Sequence, residues 1–299
     1  MSQAPAAKHG SQRLPSYGGQ AVIEGVMMRG QRVCATAVRA PDGTIVVQTS
    51  PLSSLYRGAI PRIPFARGLL ALVDALVLGM RSLSFSAGIQ AGESLGTAPI
   101  AVSMIVALVA GIGLFFLLPA AVAHWVETTF GWSALASNLL EGLIRLGLLV
   151  GYVGAIGYMP EIRRVYGYHG AEHMTIHAFE ARAPLDPASI AAFPREHPRC
   201  GTAFLLTVVV LSVVLFSVLG PLPLLLRLVS RLLLIPVLAA VAYEYIRFTG
   251  RWIDTWWGRL LAAPNLALQR LTTRKPELAM IEVATAAFEA MRQGETPAS

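Results

Sequence analysis

The side chains best suited to chemistry lie in residues 168–180, YHGAEHMTIHAFE. If this segment is a helix, the i, i+4 spacing places His169, His173 and His177 on one face, and Glu172 lies one turn from His169. Two imidazoles one turn apart can bind the same divalent ion, and a neighbouring carboxylate can hold or deprotonate a water molecule. The spacing therefore predicts a zinc site, Zn²⁺ being the cofactor, with His169 and His173 as ligands and Glu172 as general base.

Residues 169–173, HGAEH, follow the H-x-x-E-H pattern of inverzincin metallopeptidases. A pattern this short also arises by chance, and histidines near a membrane interface can instead be solvated or hydrogen-bonded to neighbouring acids. His177 is open to the same alternative, because three histidines of one helix fit awkwardly around one ion. The motif predicts zinc chemistry only together with further ligands.

Further ligands are offered by residues 197–200, HPRC, which add an imidazole and a thiol suited to zinc. Glu244 ends an apolar run, where an ionisable side chain is a functional candidate by default. We expect the third ligand to come from His197, Cys200 or Glu244, with one position left for water. Alternatively, Cys200 is a small buried residue, and Glu244 pairs with Arg247 or reaches the lipid headgroups.

The composition is that of a membrane protein. Charged residues make up 14% of the 299 residues, hydrophobic residues 55%, and the mean hydropathy is +0.58. An ordinary soluble domain has about 25% charged residues. Disulfide-stapled, collagen-like and disordered classes are excluded by the two cysteines, the absence of a triplet repeat and the abundance of Leu, Val and Ala. We expect both cysteines to be free thiols or metal ligands.

Four apolar runs predict membrane-spanning helices, at 100–126, 139–159, 203–219 and 232–246. Arg227 and Arg231 make the last run the weakest prediction. In the second run, Gly147 and Gly151 form a G-x-x-x-G pattern, which predicts close packing on a neighbouring helix.

Lysine and arginine fall mainly on one side of these runs. Nine precede the first run, none lies in 127–138, five lie in 160–202 and seven follow residue 246. The positive-inside rule therefore predicts a membrane protein whose N-terminus, 160–202 loop and C-terminus are cytoplasmic. The expected partner is a bilayer with anionic headgroups on that side. The pI of 9.8 also suits nucleic acid, but the basic residues flank apolar runs instead of forming a dense block, so no nucleic-acid partner is expected.

The predicted fold class is a mainly α membrane protein with about four transmembrane helices, cytoplasmic amphipathic helices and a small β-hairpin. Strand-like residues 33–39 and 44–48 flank a Pro-Asp-Gly turn and predict the hairpin. Charges at seven-residue spacing in 63–88 predict an amphipathic helix on the membrane or against the bundle. The expected organisation is a disordered tail (1–16), a cytoplasmic N-terminal region (17–98), a four-helix membrane region with the His/Cys loop 160–202 (99–249) and a cytoplasmic interfacial and amphipathic region (250–299).

Five motifs in order resemble the YqhQ-like family of uncharacterised bacterial multi-pass membrane proteins, which are described as predicted metal-dependent enzymes. They are YGGQAVIEGVMMRG at 17–30, YHGAEH at 168–173, HPRCGT-F at 197–204, YEYIR at 243–247 and LTTRKP at 271–276. The resemblance covers residues 17–290 and implies a multi-pass protein of the bacterial inner membrane whose motifs lie in the cytoplasm. It implies as site candidates Glu24, His169, Glu172, His173, His197, Arg199, Cys200 and Glu244. This sequence departs from the family at Met174, where Lys is frequent, and at His177, where an amide residue is common.

These features favour a metal-dependent hydrolase that cleaves an amide, ester or phosphoester near the membrane surface. The alternative is a non-enzymatic membrane scaffold or regulator that holds a structural metal, or none, and docks a cytoplasmic protein partner. Four ligands close a structural zinc site, whereas a catalytic site keeps a water position. His169, His173, His197 and Cys200 could close such a site, so the sequence leaves both open. A transporter ranks below them, because it would carry ionisable residues in the middle of several spans. The ionisable residues of these spans lie mostly near their ends: Glu141, Arg145, Arg227, Arg231 and Glu244.

Overall fold

The computed structural model describes residues 14–53, 58, 60–92 and 97–295. The protein is mainly helical and contains one four-stranded antiparallel sheet, as the sequence predicts in outline. The strands are β1 (Gly18–Val22), β2 (Gly25–Arg29), β3 (Val33–Arg39) and β4 (Ile45–Pro51). The helices are α1 (Ala66–Ala91), α2 (Thr97–Ile112), α3 (Leu118–Phe130), α4 (Ala134–Ile156), α5 (Pro160–Glu180), α6 (Pro187–Ile190), α7 (Thr202–Val218), α8 (Leu224–Leu233), α9 (Ile235–Arg251), α10 (Trp256–Thr272) and α11 (Leu278–Glu295). Most of the predicted disordered tail, residues 1–13, lies outside the described residues.

The predicted hairpin is confirmed as β3 and β4, with Arg39 opposite Ile45. Asp42 stabilises the turn by accepting a hydrogen bond from the Thr44 amide at 2.9 Å, and Gly43 takes the left-handed conformation with φ 88°. The glycine-rich residues 18–30 form a second hairpin, β1 and β2, that the sequence analysis did not predict. Each of its strands has only five residues, too few for a clear alternation of polar and apolar side chains.

The sheet is covered on both faces. On one face, β2 and β3 pack with α5 and α11 around the main hydrophobic core, because alternate residues of each strand point the same way. The predicted C-terminal amphipathic helix is α11, whose apolar side chains Ile281 and Phe288 are fully buried in this core. On the other face, Met27 and Cys34 pack against Leu78 of α1. Both cysteines are free and buried, as expected.

Within the described residues, three helices are long and apolar enough to cross a membrane, or four if the pair α8 and α9, bent by 45°, counts as one span. The first predicted span corresponds to the continuous helix Pro99–Phe130, which includes most of α2 and all of α3. The other three correspond to α4, to α7 and to this bent pair. At 17 residues, α7 is a shorter apolar helix. The third long apolar helix is α1, which packs against α9 and the sheet; the sequence predicts an amphipathic helix here, on the membrane or against the bundle, and not a span. A cytoplasmic position of α1 or α11 remains a prediction.

Buried charges connect the apolar helices. Glu141 of α4 pairs with Arg145 at 2.8 Å, with Arg231 at 2.8 Å and with Arg227 at 3.2 Å. Arg227 also pairs with Glu127 of α3 at 2.6 Å. The sequence places these ionisable residues mostly near the ends of the apolar runs, whereas the fold gathers them into one network.

The predicted packing of the G-x-x-x-G face is wrong for the described part of the chain. A Cβ atom added at Gly147, Gly151 or Gly154 would meet no heavy atom within 4 Å. The glycine of α4 that packs closely is Gly142, where a Cβ atom would lie 2.2 Å from Cγ2 of Val213 in α7. Helix spacing identified a face of small residues, but the tertiary fold turned a different part of α4 toward α7.

Candidate metal and acid–base site

The histidine-rich segment is helix α5, as predicted. Pro160 occupies the first turn, where its missing N–H costs nothing, and the helix continues to Glu180. The rings of His169 and His173 lie on one face with centroids 4.4 Å apart. Gly170 permits the chain after α10 to lie directly on α5, since a Cβ atom there would be 2.3 Å from the Arg274 carbonyl oxygen. The LTTRKP motif thus borders this face of the helix.

Backbone carbonyl groups orient the first two histidines. His169 Nδ1 donates to the Thr272 carbonyl oxygen at 2.8 Å, and His173 Nδ1 donates to that of Arg195 at 2.6 Å. Carbonyl oxygens only accept, so Nδ1 carries the hydrogen in each ring and Nε2 of a neutral ring keeps its lone pair. Burial lowers the pKa of His173, which keeps this ring neutral. Histidine ligands of metal sites are held in this way.

Cys200 faces both rings. Its Sγ lies 3.2 Å from Nε2 of His169, and a ring nitrogen of His173 lies within 4.8 Å of it. Burial acts to raise the pKa of the thiol, but His173 and the hydroxyl and amide groups of Thr202, at the start of α7, outweigh it and lower the pKa. One ligand atom each from His169, His173 and Cys200 lies within 4.8 Å of the others, so these residues could hold a metal ion.

Glu172 is the buried acid beside this group. Its side chain is 4% exposed, and Oε2 has no hydrogen-bond partner among the described residues. Burial is the main reason that its pKa is raised to about 8, although the nearby His169 and the Gly19 amide act in the opposite direction. Strand β1 crosses so close that a Cβ atom on Gly19 would lie 2.9 Å from the Glu172 carboxyl carbon. The GGQ segment of the first motif therefore covers Glu172.

His197 belongs to a different group, with His177 and Glu180, whose ligand atoms also lie within 4.8 Å of one another. His197 Nε2 lies 3.5 Å from Oε2 of Glu180, and Arg199 forms an ion pair with Oε1 of the same carboxylate. Burial acts to raise the pKa of Glu180, but His197 and Arg199 outweigh it and lower the pKa to about 2. Arg199, a candidate from the family pattern, thus holds Glu180.

Two candidates lie apart from both groups. Glu244 binds Arg67 of α1 through both carboxylate oxygens and accepts the Phe65 amide at 3.1 Å. Its partner is Arg67, not the Arg247 considered from the sequence, and the structure does not bring it to the histidines. Glu24, in the β1–β2 turn, forms an ion pair with Arg164, and this bond lowers its pKa.

Gln269 of α10 is the residue that the sequence analysis missed. Its side-chain amide accepts the His197 amide at 2.8 Å and donates to the His197 carbonyl oxygen at 2.9 Å, which fixes the backbone of that residue. It is completely buried. The only sequence signal is an amide inside a helix of mostly apolar and basic residues, two positions before the LTTRKP motif.

Comparison with known proteins agrees with the resemblance seen in the motifs. Residues 63–294 match the family model described as "Protein of unknown function (DUF1385)". The chain is 33% identical over 291 residues to "Uncharacterized protein YqhQ" of Bacillus subtilis (strain 168), covering 92% of this chain and 91% of that protein. No solved structure matches at a significant level. With its apolar helices, the chain has the character of a membrane protein, and it belongs to this bacterial family of unknown function.

Proposed function

We propose that this protein is a metal-dependent hydrolase in which His169, His173 and Cys200 hold a zinc ion. The observation that carries the proposal is the convergence of these three ligand atoms beside Glu172, a buried acid whose Oε2 lacks a partner. The donor set fits zinc, because two carbonyl-oriented imidazoles and a thiol of lowered pKa are ligands that zinc prefers. A fourth position stays available to water.

A bound zinc ion supplies Lewis-acid activation of water, whose pKa can fall from 15.7 to about 7. Glu172 Oε2 accepts a proton from the attacking water while the oxygen of that water bonds to the acyl or phosphoryl centre of the substrate. As the bond to the leaving group breaks, Glu172 delivers that proton to the departing atom. Burial raises the pKa of this carboxyl to about 8 in the metal-free protein, and a bound cation would lower it, so that the ionised form needed to accept the proton becomes available near neutral pH. The proposed substrates are amides, esters or phosphoesters at the membrane surface.

Metal content tests the proposal. The detergent-purified protein is compared with His173→Ala, Glu172→Gln and the distant control His124→Ala by mass spectrometry after zinc loading. We expect the wild type, Glu172→Gln and His124→Ala to bind the same stoichiometric amount of zinc, and His173→Ala to bind one ion per chain fewer. With a hydrolase substrate found by screening, Glu172→Gln should lose turnover. Absence of stoichiometric metal from the wild type after loading would refute the metalloenzyme, and loss of metal in Glu172→Gln would make Glu172 a ligand.

Burial favours a second candidate, a membrane scaffold with a structural metal that docks a cytoplasmic protein. His173 is 2% exposed and Cys200 7%, which is typical of a closed site. The two candidates differ in the open position of the first site, because an added anion such as azide changes the thiolate-to-cobalt absorption of an open site and leaves that of a closed site unchanged. An unchanged spectrum would favour the scaffold.

The proposed location is the bacterial inner membrane, with both termini and α5 on the cytoplasmic side against anionic headgroups. The distribution of Lys and Arg supports it, since residues 127–138 contain none and five occur in 160–202. Fusion reporters at the C-terminus and in the α3–α4 connection test the orientation. A fluorescent protein should be active at the C-terminus and a periplasmic phosphatase in the connection, and the reverse pattern would overturn the assignment.

A further inference from the structure

A second group of metal-ligating side chains lies next to the site proposed above. His177 and Glu180 continue the same face of α5, and His197 reaches them from the segment before α7. The ring centroids of His177 and His197 are 4.7 Å apart, and those of His173 and His197 are 5.7 Å apart. None of the three is needed as a ligand by the first group.

One buried atom in this group lacks a partner. His197 is 3% exposed, and its Nε2 makes no hydrogen bond to any described residue. The nearest acceptor, Oε2 of Glu180, is 3.5 Å away, beyond the usual length of a strong bond between charged groups. Two ligand atoms on one tetrahedral zinc ion, with bonds of ~2.0 to 2.2 Å, lie about 3.4 Å apart. The observed separation therefore fits two ligands of one ion better than a hydrogen bond.

The neighbouring groups hold these side chains in place. His177 Nε2 donates to the Glu196 carbonyl oxygen at 2.8 Å, so its Nδ1 keeps a lone pair. Arg199 occupies Oε1 of Glu180 and leaves Oε2 facing His197. Gln269 fixes the His197 backbone through two hydrogen bonds. Such supporting contacts are characteristic of metal ligands.

We propose that His177, Glu180 and His197 form a second divalent-cation site, so that the centre takes two ions. Two imidazoles and one carboxylate are a known ligand set for zinc with an open position. This second site extends the proposed function, and only the ion at His169, His173 and Cys200 depends on that proposal. The competing account is a neutral His197 that donates Nε2–H to Glu180, supported by the Arg199 amide 3.3 Å from His197 Nδ1. Metal binding through Nε2 places the ring hydrogen on Nδ1, so the 3.3 Å contact from the Arg199 amide to Nδ1 must open.

Cobalt distinguishes the two positions, because only the first contains a thiolate. Co²⁺ bound to Cys200 gives a thiolate-to-cobalt charge-transfer band, whereas nitrogen and oxygen ligands do not. The full-length protein in detergent is titrated with Co²⁺, and bound metal is counted after gel filtration. We expect about two ions per chain in the wild type. Glu180→Gln and His177→Asn should each bind about one ion and keep the band, while the control Glu196→Gln binds about two.

The other outcomes separate the two proposals. A wild type that binds about one ion with the band intact, or variants that still bind about two, would overturn the second site and leave the first. A wild type that binds about one ion without the band, lost in Glu180→Gln, would support the second site and refute the first. No bound cobalt in the wild type would overturn both.

Discussion

At the scale of single residues, Glu172 is the most informative side chain, because its environment opposes its charged form. Burial without a partner for Oε2 accounts for a pKa of about 8 in the metal-free protein. An acid of this kind lowers the stability of the fold whenever the pH forces it to ionise. A nearby cation would remove part of that cost, which is one reason to expect one at this place.

The stability of the metal-free protein should therefore depend on pH through Glu172. Below pH 4.5 the carboxyl is protonated in both the folded and unfolded states and has no effect. As the pH rises from 4.5 to 8, only the unfolded state loses the proton, so the free energy of unfolding falls by up to about 5 kcal/mol and then levels off.

Thermal unfolding in detergent and chelator, followed from pH 5 to 9, measures this effect. The Glu172→Gln variant should lack that fall in stability, while Glu289→Gln, an exposed carboxyl on α11, should keep it. Parallel pH curves for the wild type and Glu172→Gln would contradict the prediction.

The site also requires a residue without a Cβ atom at position 19, which is Gly19. In Gly19→Ala the new Cβ atom would lie 2.6 Å from the Met27 carbonyl oxygen and 2.9 Å from Glu172. We expect a loss of about 1–3 kcal/mol in stability, since backbone on one side cannot yield, together with weakened metal binding. In the control Gly18→Ala the added atom meets nothing within 4 Å. Equal unfolding temperatures and metal contents for the two variants would argue against the close packing of β1 on α5.

At the scale of elements, two glycine variants of α4 test its contact with α7 in the same way. Gly142→Ala drives a Cβ atom into Val213, a β-branched side chain with little freedom to move, so the contact between α4 and α7 should weaken by about 1–3 kcal/mol. Gly147→Ala, five residues further along the same helix, meets no neighbour and should keep or slightly raise stability. Unfolding temperatures in detergent compare the two. A larger effect at Gly147 would show that its face packs on another helix after all, through a second copy of the chain.

At the scale of the whole molecule, the ion network of Glu141 joins α4 to α8 across the apolar bundle. Its members include Arg145 and Arg231, each 1% exposed. Removing one partner of a buried ion pair leaves an uncompensated charge, and here one carboxylate serves three guanidinium groups. This network explains how so apolar a region tolerates arginine.

Glu141→Gln should therefore destabilise the protein by about 3–5 kcal/mol or prevent its accumulation in the membrane. Glu127→Gln is the matched control, because Glu127 pairs only with Arg227 among the described ion pairs and is less buried. Expression level and unfolding temperature in detergent measure both variants. Equal losses would mean that Glu141 is not the centre of the network.

Local patterns in the sequence predicted much of this protein. The apolar runs, the β3–β4 hairpin, helix α5 and the shared face of His169 and His173 depend on backbone geometry over a few residues, so spacing alone reveals them. The amide of Gln269 gave almost no signal, because its role depends on the backbone of a residue 72 positions away.

The sequence by itself determined which residues are chemically able to bind a metal, and tertiary structure decided how they are grouped. Cys200 joins His169 from 31 positions away, and His197, three residues earlier, turns instead to Glu180. Glu244 is drawn to Arg67 across 177 positions. These partnerships depend on how α1, α7 and α10 pack around α5, and packing of distant segments is decided by buried surface and hydrogen bonds that no local spacing encodes.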